Sequence, residues 1–448
     1  MTRPRQASAG WWLAPVCALA PLTTTQAVIT DQRLERDARE IESRLIDWRR
    51  DLHRNPELGN REFRTAKKIE AHLRQLGLEV KTGIAHTGVT GLLRGARPGP
   101  MIALRADMDA LPVTEQTDVP FKSTATGDYR GEKVGVMHAC GHDAHVAILM
   151  AAAEILARLR GELAGSVLFI FQPAEEGPPE GEEGGAPLML KEGLFDIYRP
   201  AAIFGLHVNS NLHAGDIGYR SGTLRAASDR FTIVVTGRQT HGAQPWDGVD
   251  PIVTAAEIVT SLQGIVSRQV NLTENPAVVS VGAINGGIRH NIIPERVEMI
   301  GTVRTFSAQQ RSDIFARMER ITTKVAEANG ATATLNFGSD NNPTTYNDPA
   351  LTQKVLPSLQ RAAGAEHVKV IPLLTSAEDY AYFAAKVPSV YFIVGIVPPS
   401  QDLLSAAANH SPLFFVDETG LQTGLRALLY VAVDYLQGAA AGTASSAP

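Results

Sequence analysis

Five segments far apart in the chain carry closely spaced histidine, cysteine and carboxylate side chains. They are Arg105-Ala106-Asp107-Met108-Asp109, His138-Ala139-Cys140-Gly141-His142-Asp143-Ala144-His145, Gln172-Pro173-Ala174-Glu175-Glu176-Gly177, His207 and Asn409-His410-Ser411-Pro412. Such side chains ligate divalent metals and move protons. Cys140 and His142, one residue apart on a turn before a helix, can face one ion as thiolate and imidazole. The plainer reading is a buried cysteine beside a locally bonded histidine. His145, one turn further, packs or orients. Glu175 and Glu176 leave a strand in different directions, so one can hold a metal while the other takes a proton from water. A solvated acidic turn is the alternative, and it fits Glu180, Glu182 and Glu183 in the Gly/Pro-rich loop that follows. Together Cys140, His142, Glu176, His207 and His410 supply five ligands, which suits two divalent ions with a bridging group and a water. Asp109 then orients a ligand or the base from behind. The mixed donor set suits zinc and also accommodates manganese, cobalt or nickel.

These segments need a frame, and the apolar runs before them supply one. Residues 101–104, 167–171, 202–206 and 390–394 are nearly continuous apolar stretches, as strands buried on both faces of a helix-covered sheet require. The acidic and histidine residues follow the C-terminal ends of these strands, where open α/β sheets place ligands. Helices are expected over 31–57, 61–76, 144–159 and 418–436. Between them, strands at 231–235, 276–284, 296–304 and 332–337 alternate with helices at 251–267 and 309–328. That β-α-β-β-α-β order marks an inserted α+β domain. The expected fold is therefore α/β, a di-metal catalytic domain with a mixed, largely parallel sheet plus this insert. The expected divisions are 28–222 and 341–437 for the catalytic domain, 223–340 for the insert and 438–448 for a disordered tail.

The chain has 448 residues, of which 44% are hydrophobic and 20% charged, and a net charge of −5, so neither nucleic acid nor an acidic membrane surface is indicated as a partner. Residues 1–27 read as an export signal: Arg3 and Arg5 precede a short apolar run over 11–22. An uncleaved anchor is the alternative. No later stretch is long and apolar enough to span a membrane. The expected location is periplasmic or secreted. Cys17 leaves with the signal, so Cys140 is the one remaining thiol and no internal disulfide can form.

The motifs together resemble the metallopeptidase-related amidohydrolase family of aminoacylases, hippurate hydrolases, N-acetyldiaminopimelate deacetylases and auxin–amino-acid conjugate hydrolases. The resemblance opens at Asp51-Leu52-His53-Arg54-Asn55-Pro56-Glu57-Leu58 and continues through Ala106-Asp107-Met108-Asp109-Ala110-Leu111-Pro112, the Cys140 and Glu175 motifs, Gly205-Leu206-His207 and His410-Ser411-Pro412. It implies Cys140, His142, Glu176, His207 and His410 as metal ligands, with Cys140 bridging, and Glu175 as general base and then proton donor. The insert would be a lid that also dimerises. His241, in Thr240-His241-Gly242, would stabilise the developing oxyanion, reaching a neighbouring subunit's site. Asn291 and Arg304 would bind the substrate carboxylate. Four places depart from the family pattern: Trp246 stands where a second lid histidine is usual, and Asn409 replaces a histidine. The loop after Glu176 carries extra Pro and acidic residues, and Ser376-Ala377-Glu378-Asp379-Tyr380 replaces Gly-Ser-Glu-Asp-Phe. All four are expected to border the substrate pocket.

The expected activity is hydrolysis of N-acyl amino acids to a carboxylic acid and an amino acid, by a homodimer or larger homo-oligomer. Three alternatives stand beside it: a carboxypeptidase or dipeptidase of the same family, a metal-dependent binding protein without catalysis, and a thiol hydrolase with Cys140 as nucleophile.

Overall fold

The computed structural model describes residues 1–2, 29–338 and 341–444. The export signal expected over 1–27 lies, past residue 2, outside the described residues.

Four adjacent strands form the centre of an eight-stranded sheet, in the spatial order Ala164–Gln172, Arg97–Asp107, Ala202–His213, Ser389–Val397, all mutually parallel. The antiparallel pair Glu79–Ile84 and Gly88–Arg94 extends one side. The short strands Ile217–Tyr219 and Val368–Val370 extend the other. The mixed sheet with a parallel centre is as expected. Because strand side chains alternate between faces, Val167, Phe169 and Phe171 enter one core while Leu168 and Ile170 enter the other. The first core is closed by His142–Arg158, Thr419–Ala444 and the N-terminal helices. The second is closed by Gly185–Lys191 and Tyr380–Ala384. His142–Arg158 is buried from His142 to Leu156, and its alanines let it lie close to the sheet.

Three expected boundaries move. The helix expected over 31–57 is two helices, Asp31–Glu40 and Glu42–Arg54, which break at the buried Ile41. The second ends before Asn55-Pro56, since a proline disfavours helical backbone in the residue before it. The last helix runs on to Ala444 rather than giving way at Gly438, because the alanine-rich continuation has high helix propensity. Residues 445–448 of the expected tail lie outside the described residues.

The insert follows the β-α-β-β-α-β order: Ala227–Thr236, Pro251–Arg268, Val278–Gly286, Arg296–Thr305, Ala308–Ala328, Thr332–Phe337. Its four strands form an antiparallel sheet of their own. The chain enters through Gly222–Arg225 and returns through Thr345–Asn347, and these two strands pair with each other. The insert has a separate apolar core built on Phe231, Ile258, Leu262, Val303 and Met318. Phe231→Ala is therefore expected to cost about 3–5 kcal/mol, seen as a lower denaturant midpoint, while the metal content of the reconstituted protein stays unchanged by elemental analysis.

Candidate metal centre

Three turns carry four of the ligands, each through backbone that side chains rarely adopt, while His207 lies within the strand Ala202–His213. Gly141, at φ 91°, starts the helix His142–Arg158, and a Cβ there would sit 2.3 Å from Val208 Cγ2. Ala174, at φ 49°, turns the chain after Gln172 and separates the directions of Glu175 and Glu176. Its N–H donates to the buried Glu62 Oε1 at 2.9 Å. His410, at φ 73°, is fixed by its N–H donating to Ala139 O at 2.7 Å. Left-handed non-glycine backbone costs of order 1–3 kcal/mol and persists where its surroundings enforce it. Asn409 is part of that enforcement: Nδ2 donates to Cys140 O and Val208 O, both at 3.2 Å. It thereby ties three ligand segments together.

All five expected ligands meet. Cys140 Sγ lies 3.4 Å from His207 Nε2 and 3.3 Å from His410 Nε2. His410 Nε2 is 3.0 Å from Glu176 Oε1, yet that oxygen has no hydrogen-bond partner. His142 Nε2 is 3.9 Å from Glu175 Oε2 and from Glu176 Oε1, and it too is buried without a partner. Buried polar atoms are rarely left so. Two ligand groups, Cys140–His142–His207 and Cys140–Glu176–His410, share the sulfur. Converging donor atoms, two of them partnerless, with one thiol common to both groups, fit two divalent ions that these five residues would hold.

A surrounding layer aims these atoms. His142 Nδ1 lies 2.9 Å from Asp109 O and 3.2 Å from Oδ1, while Asp109 Oδ2 accepts from Glu176 N–H at 3.0 Å. Asp109 thus holds two ligands at once, as its sequence position suggested. His207 Nδ1 lies 2.7 Å from Val208 O, which turns Nε2 towards the sulfur. His145 stands near the cluster too, but Val208 N–H donates to its Nε2 at 2.9 Å. Its proton is then on Nδ1, shared with Asp107 Oδ1 at 2.5 Å. It orients and does not ligate.

Electrostatically the centre has too many anionic partners for its protons. Burial, then Glu378, Glu176 and Asp379, holds the Glu175 carboxyl well above the usual range. Burial lowers His142, but Asp107, Asp109 and Cys140 together outweigh it and hold the imidazole well above its ordinary value. Burial, then Arg225, keeps His207 neutral. Burial, followed by Glu176, pushes the Cys140 thiol up to about 12. A nucleophilic cysteine needs an accessible sulfur, whereas Cys140 is buried and common to both ligand groups, which favours a ligand role over the thiol-hydrolase alternative.

The structure also shows a buried network that the sequence reading missed. Arg105, fully enclosed, donates to Gln172 Oε1 at 2.8 Å, Asp107 Oδ2 at 2.7 Å, and Glu378 Oε1 and Asp379 Oδ1, both at 3.0 Å. Asp379 N–H lies 3.4 Å from Glu175 Oε1. The Ser376–Tyr380 segment therefore reaches the base from the core side. The available signal was an arginine inside an apolar strand, where burial demands a partner. The insert residues stand apart. His241 pairs with Ile292, and Gly242 N–H donates to Asn291 O, which places His241 beside Asn291. Among the described residues, no hydrogen bond or ion pair links either to the metal cluster. Arg304 reaches over the domain junction, its Nε donating to Thr375 O at 3.2 Å.

Comparison with known proteins agrees with this geometry. Residues 103–434 match Peptidase family M20/M25/M40. The chain is 38% identical over 405 residues to thermostable carboxypeptidase 1 of Saccharolobus solfataricus, covering 90% of this chain and 98% of that one. It is 36% identical to an N-acetyl-L-cysteine deacetylase of Bacillus subtilis, covering 85% of each. A solved Bacillus subtilis structure, described as a dinuclear metal-binding peptidase from family M20, superposes with a TM-score of 0.73 at 34% identity, over 89% of this chain and 99% of that chain. Asp109→Asn, which weakens the hold on two ligands at once, is expected to reduce metal affinity by about 10–100-fold, measured by competition with a chromophoric chelator.

Proposed function

The chain belongs to peptidase family M20/M25/M40, a metal-dependent hydrolase of amide bonds, and from that premise we propose that it cleaves N-acyl amino acids into a carboxylic acid and an amino acid. The observation that carries the reading is Glu175, a carboxyl 9% exposed whose Oε2 lies 3.9 Å from His142 Nε2, at the edge of the five converging ligands. A binding protein would have no use for such a base.

Two divalent ions, when bound, polarise the amide carbonyl and lower the pKa of water towards roughly 7. Cys140, His142, Glu176, His207 and His410 would hold them, and zinc is the proposed metal. Glu175 then takes a proton from water and returns it to the leaving nitrogen. The Asp379 N–H on one side and the Ala174 turn on the other keep its carboxyl in place. His241 supports the tetrahedral oxyanion, while Asn291 and Arg304 hold the α-carboxylate of the amino-acid half. The N-acetyl-L-cysteine deacetylase among the relatives supports an acyl amino acid as substrate. The carboxypeptidase supports the second reading, a dipeptide or peptide C-terminus.

The separation of His241 from the cluster supports action across a homodimer. The strand Val278–Gly286 is an open edge of the insert's sheet. Beside it Ile288 is 96% and Ile284 52% exposed, and Ile252 lies against Gly287. Such an edge with an apolar border is a pairing surface. The N-terminal apolar run supports export to the periplasm or medium.

Three outcomes are expected. Chelation abolishes turnover of N-acyl amino acids and zinc restores it. Glu175→Gln keeps its metal by elemental analysis yet loses turnover about 10²–10⁴-fold. Ile284→Lys with Ile288→Lys sediments as a monomer and loses activity together with association.

A further inference from the structure

Three arginines are buried among the described residues: Arg49, Arg105 and Arg225. Arg49 is paired with Asp143 at 2.8 Å, and Arg105 with Asp107 at 2.7 Å. Arg225, only 4% exposed, has no carboxylate partner. Its Nη1 donates to Ser376 Oγ at 3.0 Å and Ala377 O at 3.4 Å. Nε and Nη2 are buried and have no partner at all. A buried cation without a counter-charge is strongly disfavoured, and each orphaned N–H adds to that cost. The free atoms are also the edge that matches a carboxylate with two parallel hydrogen bonds.

The surroundings point to the reaction site. Arg225 stands over the ring of Tyr391, its guanidinium carbon 5.9 Å from the ring centre, and Tyr391 in turn donates to Glu378 Oε2 at 2.7 Å in the network behind the base. Arg304 and Arg225 bond consecutive residues of one loop, Thr375 and then Ser376 and Ala377. The same segment continues to Asp379, against Glu175. The Ser376 hydroxyl, 3.0 Å from Nη1, is the one side-chain group among the described residues that orients Arg225. Gly222–Arg225 and its partner Thr345–Asn347 are the two crossings between the domains, so the guanidinium lies at the junction of the insert with the catalytic domain.

We propose that Arg225 determines specificity by receiving a second substrate carboxylate, on the side chain of the amino-acid half or on the acyl group, while Arg304 and Asn291 hold the α-carboxylate. The proposal rests on the N-acyl amino acid reading and narrows it to dicarboxylic substrates.

The test uses the zinc-loaded enzyme and two matched pairs: N-acetylglutamate against N-acetylglutamine, and N-succinylalanine against its terminal amide. The wild type is expected to favour the diacid of one pair by about 10–100-fold in kcat/KM, mainly through KM. The favoured pair tells which half carries the carboxylate. Arg225→Met brings that ratio close to one. Ser376→Gly, which removes only the orienting hydroxyl, lowers it part of the way. No preference in either pair, or an Arg225→Met loss that is equal for N-acetylalanine and the diacid, overturns the proposal. Should the wild type turn over none of these compounds, the hydrolase reading fails separately. Calorimetric binding of the same pairs then decides on Arg225: a diacid preference lost in Arg225→Met supports it, and equal binding overturns it.

Discussion

The structure depends on one electrostatic constraint: lone pairs gathered around a buried thiol with too few protons to satisfy them. Cys140 lies between His207 and His410, and Glu176 and His142 face each other across the same space with partnerless atoms. Such a group is stable only if a cation completes it. The sheet, the helix His142–Arg158 and the three turns hold these atoms in place against their mutual repulsion. That explains why the enforced backbone at Ala174 and His410 sits here rather than at ordinary loop tips.

Holding the ligands is a separate task from holding the base, and the fold assigns them to different layers. Asp109 binds His142 and Glu176, and Asn409 joins the Cys140, Val208 and His410 backbones. Glu175 is approached from the opposite face by Asp379, itself fixed by Arg105, Gln172 and the Ala186 N–H. Arg105 is the hinge point of this second layer. It neutralises part of the charge of Asp107, Glu378 and Asp379, so three carboxylates can be packed behind a fourth. A rigid ion pair network behind the base lets Glu175 remain unligated while still aimed.

Much of this was legible because the chemistry follows buried strands. Apolar runs at 101–104, 167–171, 202–206 and 390–394 announce strands, and whatever polar residue ends such a run is carried into the same rim. The insert was legible from its β-α-β-β-α-β order. What could not be read is tertiary. Nothing local to Asn409 says that its amide spans two other segments. Ala174 and His410 carry no glycine to mark a left-handed turn. The Arg225–Ser376 contact joins residues that no sequence spacing relates. The helix break at Ile41 and the helical run past Gly438 were hidden because helical spacing and alanine content fix an element's type better than its ends.

Under the proposed function the two domains divide recognition from bond cleavage, and the division has a geometric reason. Lone pairs that must converge within a few ångströms need a firm frame, so every ligand and the base sit on the catalytic sheet or on turns anchored to it. His241, Asn291 and Arg304 lie on a separate sheet with its own core. They can approach or withdraw without disturbing the ligand set. Only two strands cross between the domains, and one of them ends in Arg225. A residue at that crossing touches both the Tyr391 ring of the catalytic sheet and the loop it shares with Arg304.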